Sequence, residues 1–233
     1  MTEQHSRTLA IGDIHGCDVA FENLIETVQP SASDTLVILG DVVDRGPNTR
    51  RCVQLLHELS EICQLVFLMG NHEEMMLRAV HDRMWMETWL HYGGVETMQS
   101  YGSSFSDIPE RHVEFLRAGK PYFQTEKDIF VHANLEPETP LAKQETRWLR
   151  WKHLTGDEQP FFTGKRVICG HARQSSGLPA LLTGWVCIDT SACSGQFLTC
   201  LDVDRDIIHR TTQSGDIERD LPLNEIAVSF VPR

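Results

Sequence analysis

The stretch TLAIGDIHG, at residues 8–16, sets the pattern from which the fold can be inferred. In it a short apolar run ends at a glycine, and an aspartate and a histidine follow closely. The same order returns four times, with an apolar run ending at a polar residue that could bind a metal. These runs are TLVILGD at 35–41, LVFLMGN at 65–71, IFVH at 129–132 and VICGH at 167–171. Short runs rich in β-branched residues are typical of buried strands.

Two amphipathic segments separate the first three runs, and their apolar residues recur at helical spacing. They are Phe21, Leu24, Ile25 and Val28 in the first segment, and Cys52, Leu55, Leu56 and Leu59 in the second. Alternating strands and helices predict βαβ units and a mainly parallel sheet. From about residue 165 the pattern becomes strand-rich, which predicts a second, largely antiparallel sheet. The sequence therefore predicts an α/β fold in which two sheets pack face to face with helices outside.

Length and composition favour one domain spanning residues 1–233. A helical, cap-like segment is expected around residues 74–118, because this stretch is too long for a simple crossover. Its aromatic residues, Trp85 and Trp89 among them, either pack in the core or line a substrate groove.

The chain is acidic, with 33 Asp and Glu residues against 21 Lys and Arg residues and a formal net charge of −12. Such a surface repels phosphate backbones and anionic membranes, so we expect neither nucleic acid nor membrane as a partner. The first residues lack the apolar core of a signal peptide. The seven cysteines include no CxxC pair, which predicts reduced thiols and a cytoplasmic location. The oligomeric state is left open.

The polar residues at the strand ends form one candidate metal centre. Ligands collect at the carboxyl ends of parallel strands. Mixed nitrogen and oxygen donors suit divalent Mn, Fe, Zn or Co, and six donors are too many for one ion that must keep an open position. The sequence therefore predicts two divalent ions that share one carboxylate. The six candidate ligands are Asp13, His15, Asp41, Asn71, His132 and His171.

Three neighbouring residues are expected to act on the substrate instead. Arg45 follows Asp41 by four residues, and its guanidinium can hold two phosphate oxygens. Asp44 and His72 form a candidate acid pair, because a carboxylate that orients an imidazole lets it protonate a leaving oxygen. Together these groups predict phosphoester hydrolysis by a hydroxide that two metals activate.

At these residues the chain resembles the PPP family of metallophosphoesterases, which includes bacterial and phage-type serine/threonine protein phosphatases. Three signature blocks match in order, and two later ligand blocks follow them. The blocks are GDIHG at 12–16, GDVVDRG at 40–46, GNHE at 70–73, HAN at 132–134 and GH at 170–171. The resemblance implies a calcineurin-like β-sandwich of two mixed sheets flanked by helices. It also implies Mn²⁺ as the usual activating metal, with Fe or Zn as alternatives.

The resemblance further implies a role for each site residue. His72 with Asp44 would be the acid dyad, and Arg45 would bind phosphate. The metal ligands would be Asp13, His15 and Asp41 for one ion, and Asp41, Asn71, His132 and His171 for the other.

Many members of that family place a second phosphate-binding arginine in an LWxR segment. Here TRWLRWKHL, at residues 146–154, offers two registers. One register supplies Arg150 as the substrate-binding residue, and this is the one we favour. The other register puts His153 at that position and keeps the upstream spacing better.

The function favoured by the sequence is a metal-dependent phosphomonoesterase, a serine/threonine protein phosphatase that acts on phosphoproteins or phosphopeptides. The alternative is a dinucleoside polyphosphate or nucleotide phosphohydrolase that uses the same site. The complete DRG block and Glu73 favour the first, since related dinucleotide hydrolases tend to vary there. A scaffold without activity is disfavoured by the presence of Asp44, Arg45 and His72.

Overall fold

A computed structural model describes residues 6–231, and residues 1–5 and 232–233 of the expected domain lie outside the described part. Twelve strands are described: β1 Thr8–Ile11, β2 Thr35–Ile38, β3 Gln64–Phe67, β4 Tyr122–Gln124, β5 Asp128–Val131, β6 Arg166–Cys169, β7 Ala180–Leu182, β8 Trp185–Cys187, β9 Phe197–Asp202, β10 Ile207–Thr212, β11 Ile217–Pro222 and β12 Val228–Ser229. The α-helices are α1 Asp18–Val28, α2 Thr49–Ser60, α3 Asn71–Ala79, α4 Arg83–Trp89, α5 Val95–Tyr101, α6 Glu110–Arg117, α7 Thr146–Trp151 and α8 Leu223–Ile226.

The strands form two six-stranded mixed sheets, and two mixed sheets are what the family resemblance implies. The first has the order β11-β10-β9-β1-β2-β3, and the second has the order β12-β7-β8-β6-β5-β4. Strands β1, β2 and β3 run parallel to one another, and so do β5, β6 and β8. All five sequence runs that end at candidate ligands therefore lie on parallel strands, three in one sheet and two in the other.

The strands after residue 165 do not form the separate antiparallel sheet that the sequence predicts. Strand β6 instead pairs parallel with β5, and β9 pairs antiparallel with β1, where Leu9 faces Asp202. The hairpins β9–β10 and β10–β11 then extend the first sheet. The prediction was wrong because apolar edges such as β1 can accept a strand from any distance along the chain.

Three apolar layers cover the faces of the two sheets. Ala10, Val37 and Phe130 belong to the cluster shared by both sheets, so this layer is the sandwich interior. The neighbouring residue Ile11 belongs to another cluster together with Phe21 of α1. This alternation follows from the two-residue period of a strand. A third cluster packs β5 and β6 against the segment that contains α7.

The segment around residues 74–118 is mostly helical and contains α4, α5 and α6. A π-helical turn at Leu90–Gly94 joins α4 to α5, and Gly93 has a φ of 113° inside it. A side chain at Gly93 would come within 2.7 Å of Arg45 Cγ. The glycine therefore allows this segment to pack directly against the loop that carries Arg45. Within residues 6–231, no helix combines the length and apolar character that crossing a bilayer requires.

The turn before β2 is held by Asp34, whose carboxylate is almost completely buried. Burial alone would raise the pKa of Asp34, but hydrogen bonds from the Arg7 guanidinium and from the backbone N–H groups of Ser31 and Arg7 lower it to about 2. A lowered pKa means that the ionised carboxylate stabilises the fold above its unfolded pKa and that this contribution is lost as the pH falls toward 2.

We expect Asp34→Asn to lower the free energy of unfolding by roughly 2 kcal/mol at neutral pH. At pH 3 the difference in free energy of unfolding between wild type and variant should be smaller by about 1 kcal/mol, because the Asp34 carboxyl of the unfolded wild-type chain is then mostly protonated. Urea denaturation at both pH values measures this. The exposed Asp220→Asn is the matched control. A difference that stays constant between the two pH values contradicts the prediction.

Candidate active site

The six predicted ligands follow strands that end at the same edge of the sandwich. Asp13 and His15 follow β1, Asp41 follows β2, and Asn71 begins α3 directly after β3. His132 and His171 follow β5 and β6 of the second sheet. The backbone N–H of His171 donates to the Asp13 carboxylate at 3.1 Å, so these two residues, more than 150 positions apart in sequence, are in contact.

One cluster of donor atoms centres on the amide oxygen of Asn71. This oxygen lies 3.0 Å from His132 Nε2 and 3.1 Å from His171 Nδ1. Asp41 Oδ1 lies 3.4 Å from the same His132 Nε2. The ligand atoms of Asp41, His132 and His171 all lie within 4.8 Å of one another, which is close enough for one ion to contact all three.

A second cluster uses the other oxygen of Asp41. His15 Nε2 lies 3.6 Å from Asp41 Oδ2, and His72 Nε2 lies 4.0 Å from it. The ligand atoms of His15, Asp41 and His72 again lie within 4.8 Å of one another. Because its two oxygens face different clusters, Asp41 has the position of a carboxylate shared by two ions. Asp13, the remaining predicted ligand, lines the same cleft.

The protonation of the imidazoles fits divalent metal ions. The Nδ1–H of His15 donates to Val43 O at 2.9 Å, and the Nδ1–H of His132 donates to Leu39 O at 2.8 Å. These bonds leave each Nε2 lone pair directed at the cluster. Burial lowers the pKa of His15 and of His132, and burial with the nearby His132 ring lowers the pKa of His171 to about 3. Neutral imidazoles beside carboxylates are the donors that divalent transition metals bind.

The backbone at this edge is strained. Five site residues have left-handed backbone conformations, with φ between 46° and 76°, which residues other than glycine rarely adopt. Such conformations cost free energy and persist where surrounding contacts impose them, which is common at functional sites. Four more non-glycine residues with positive φ lie elsewhere in the described chain. The five in the site are His15, Asp41, Asp44, Arg45 and His171.

The predicted acid pair lies at hydrogen-bond distance. His72 Nδ1 donates to Asp44 Oδ2 at 2.7 Å. Asp44 Oδ1 accepts bonds from Trp89 Nε1 and from Thr97 Oγ1, both at 2.8 Å. Trp89 is fully buried, so of the two roles considered for its segment it has a packing and supporting one. Burial alone would lower the pKa of His72, but the Asp41 and Asp44 carboxylates outweigh this and raise it.

Arg45 is exposed at the cleft, and its guanidinium points toward the site. Its Nη1 and Nη2 donate to His15 Nε2 and His72 Nε2, each at 2.8 Å. Its backbone N–H donates to Gly93 O at 3.1 Å, which fixes the residue against the helical segment. The guanidinium therefore lies where a phosphate bound at the two clusters would meet it.

Glu73 is fully buried and faces the backbone of the site loop. Its carboxylate accepts bonds from the backbone N–H groups of Asp41, Val42, Val43 and Gly70, at 2.8 to 3.2 Å. It therefore holds the loop that carries Asp41 and does not reach a substrate.

Sequence reasoning missed Asp189, which is 4% exposed and follows β8. Burial, with the neighbouring Asp41 carboxylate, raises the pKa of Asp189 to about 6, while a bond from the Ser191 N–H opposes the shift. Burial, followed by the Asp189 and Asp41 charges, also raises the pKa of Asp13. The signal was present, because WVCID repeats the pattern of an apolar strand that ends near an aspartate.

A cleft of about 1060 Å³ opens over these groups. Its floor includes Asp13, Asp41 and Asn71, and one part of its wall is aromatic. We call Trp85, Tyr92 and Trp151 the aromatic wall. The Trp85 and Trp151 ring centroids lie 6.3 Å apart, and Tyr92 is 51% exposed.

Arg150 does not belong to the described residues that line this cleft. Its Nη1 donates to Glu74 Oε2 at 3.2 Å, and Trp151 Nε1 donates to the same oxygen at 3.1 Å. The substrate-binding role of Arg150 therefore stays a prediction. His153, the residue supplied by the other register, does line the cleft and stacks on His171 with a centroid distance of 4.4 Å.

Residues 6–175 match the sequence model of the family described as calcineurin-like phosphoesterase. The chain belongs to this family. It is thus a metallophosphoesterase of a family that uses divalent metals in a binuclear site, and the two donor clusters are the candidate ligands for that site.

Two curated relatives of this phosphoesterase are named as tetraphosphatases. The asymmetrical bis(5'-nucleosyl)-tetraphosphatase PrpE of Oceanobacillus iheyensis is 25% identical over 220 residues, which cover 81% of this chain and 85% of the relative. The symmetrical bis(5'-nucleosyl)-tetraphosphatase of Acidovorax ebreus is 43% identical over 76 residues. That match covers 30% of this chain and only a quarter of the relative's length.

Two solved structures share the fold of this phosphoesterase. One is provisionally assigned as a diadenosine tetraphosphatase, with a TM-score of 0.68, 22% identity, and coverage of 91% of this chain and 95% of the other. The second is a cold-active protein-tyrosine phosphatase of a Shewanella species, with a TM-score of 0.64, 17% identity, and coverage of 94% and 82%.

Proposed function

We propose that this phosphoesterase hydrolyses dinucleoside polyphosphates at the two-metal site. The proposal rests on the cleft of about 1060 Å³, in which the aromatic wall lies beside the candidate metal ligands. Nucleobases stack on aromatic side chains, whereas a phosphoserine side chain carries no ring to stack there. A cleft of this volume also has the size of sites that enclose whole small molecules.

The sequence favoured a protein phosphatase, and the named relatives support the alternative better. Both curated relatives described above are bis(5'-nucleosyl)-tetraphosphatases. Glu73 had favoured a protein phosphatase in the sequence, but its carboxylate accepts bonds from four backbone N–H groups and is fully buried. It therefore carries no direct information on the substrate.

The proposed mechanism assigns the chain's own groups to distinct tasks. When bound, the two divalent ions would supply Lewis acidity and lower the pKa of water at the site. Asp41 would be shared between the two donor clusters, with one oxygen directed at each. Arg45 would bind the non-bridging oxygens of the phosphate under attack and stabilise their charge. The P–O bond to the departing phosphate breaks as water adds to phosphorus, and His72 is positioned to hold or donate a proton there.

A protein phosphatase is kept as a second candidate because of the His72–Asp44 dyad. An alkoxide leaving from phosphoserine is strongly basic and needs a proton, whereas a departing nucleotide phosphate needs one far less. A dyad held by Trp89 and Thr97 is therefore a feature that a phosphomonoesterase would use more fully.

A substrate panel with metal-reconstituted protein separates the two candidates. It contains diadenosine tetraphosphate, phosphoserine, phosphothreonine and phosphotyrosine peptides, and a cyclic nucleotide. We expect kcat/KM for the dinucleotide to exceed that for each peptide at least tenfold. An Asp41→Asn preparation, purified in parallel, controls for contaminating phosphatases. A peptide hydrolysed as well as the dinucleotide would refute the proposal and favour the second candidate.

A further inference from the structure

Among the described residues that line the cleft, Arg173 supplies a second guanidinium besides that of Arg45. The backbone of Arg173 is fixed close to the candidate metal ligands. Arg173 N–H donates to His171 O at 3.1 Å, and the next N–H, of Gln174, donates to Asp189 O at 2.8 Å. The Cα position of Arg173 is thus set by the same edge of the sandwich that positions His171.

The side chain of Arg173 is exposed at the cleft and has no acidic partner among residues 6–231. Its one described bond runs from Nη1 to Ser194 Oγ at 3.0 Å. Arg150, by contrast, is paired with Glu74. Arg173 can therefore bind an anion in the cleft without first breaking an ion pair, and its planar fork suits phosphate oxygens.

The charge of the substrate decides whether a second guanidinium is useful. A phosphomonoester carries about two negative charges, which the metal ions and Arg45 can balance. Each additional phosphate of a polyphosphate chain brings about one more negative charge, and these phosphates extend beyond the reacting phosphorus. The chain as a whole has a net charge of −12, so it offers such phosphates little attraction elsewhere.

We propose that Arg173 binds the phosphates of a polyphosphate substrate that are not being hydrolysed. This inference rests on the proposed function for its substrate class, and it makes Arg173 a residue that determines specificity for polyphosphates over monoesters. The competing explanation is structural, namely that Arg173 holds the loop around Ser194.

The test compares two substrates with four variants of the full chain. Arg173→Met should shift the ratio of kcat/KM at least tenfold, away from diadenosine tetraphosphate and toward p-nitrophenyl phosphate, mainly through KM for the dinucleotide. Arg173→Lys should recover part of that ratio. Ser194→Ala, which removes the loop contact only, and the exposed Arg205→Met should each change the ratio less than twofold. Equal losses on both substrates, or the same shift in Ser194→Ala, would overturn the proposal.

Inhibition measurements keep this result separate from the proposed function. With p-nitrophenyl phosphate as the reporter, tripolyphosphate and orthophosphate are compared as competitive inhibitors. Arg173→Met should raise the inhibition constant of tripolyphosphate, relative to that of orthophosphate, at least fivefold. If wild type shows no preference for the dinucleotide, the proposed function fails, yet this ratio still tests Arg173. An unchanged ratio refutes the role of Arg173 whichever substrate is preferred.

Discussion

Asp41→Asn is expected to lower kcat by about 1000-fold, which corresponds to about 4 kcal/mol of lost transition-state stabilisation. The two oxygens of Asp41 face different donor clusters, so loss of its charge should weaken metal binding at both clusters. The variant should also bind at most one metal ion per chain, whereas we expect wild type to bind two. Metal content after reconstitution and gel filtration gives this number independently of activity.

The substitution is chosen so that the fold survives. Asp41 has a φ of 49°, and asparagine is among the residues that tolerate this left-handed conformation best. An amide oxygen can still accept the bond from the His72 backbone N–H, which lies 3.1 Å from Asp41 Oδ1. Thermal unfolding of the metal-free proteins should therefore differ little between wild type and variant.

Asp204→Asn is the matched control, because Asp204 is exposed and accepts a bond from Thr8 N at the opposite end of β1. It should keep both metal ions and full kcat. An Asp41→Asn protein that retained two ions and more than a tenth of the wild-type kcat would remove Asp41 from the role of shared ligand.

The positions of the candidate ligands could be predicted because each one follows a strand. A strand that enters a parallel sheet delivers its carboxyl end to a known edge, so Asp13, Asp41 and His132 could be brought together from local patterns alone. Asp189 follows the same rule, because β8 runs parallel to β6 in the second sheet.

Contacts between distant loops could not be predicted in this way. Trp89 and Thr97 support Asp44 from 45 and 53 residues away, and no periodicity links these positions. Arg173 enters the cleft through a turn whose course depends on bonds to Asp189 and His171. The orientation of Arg150 depended on Glu74, a partner 76 residues away in another element. Such side-chain pairings follow from tertiary packing, which a single sequence leaves undetermined.

Replacing His72 with asparagine should affect substrates unequally. With a phosphoserine peptide we expect kcat to fall by about 100- to 10,000-fold, the range that general acid catalysis contributes. With p-nitrophenyl phosphate the loss should be at least tenfold smaller, because a phenolate stabilised by a nitro group leaves without a full proton. The difference arises because His72 Nε2 faces the site while Nδ1 is fixed by Asp44 at 2.7 Å.

The dyad gives this prediction a second, independent arm. Asp44→Asn removes the charge that orients the imidazole, so it should reproduce most of the loss in kcat seen with His72→Asn. The double variant should be little worse than either single variant, because groups that act as a unit have non-additive effects. His81→Asn, at an exposed histidine just after α3, should be neutral on both substrates. If His72→Asn lowered kcat equally for the peptide and for p-nitrophenyl phosphate, His72 would not be the acid. It would act through metal binding instead, a role that its place in the cluster with His15 and Asp41 also allows.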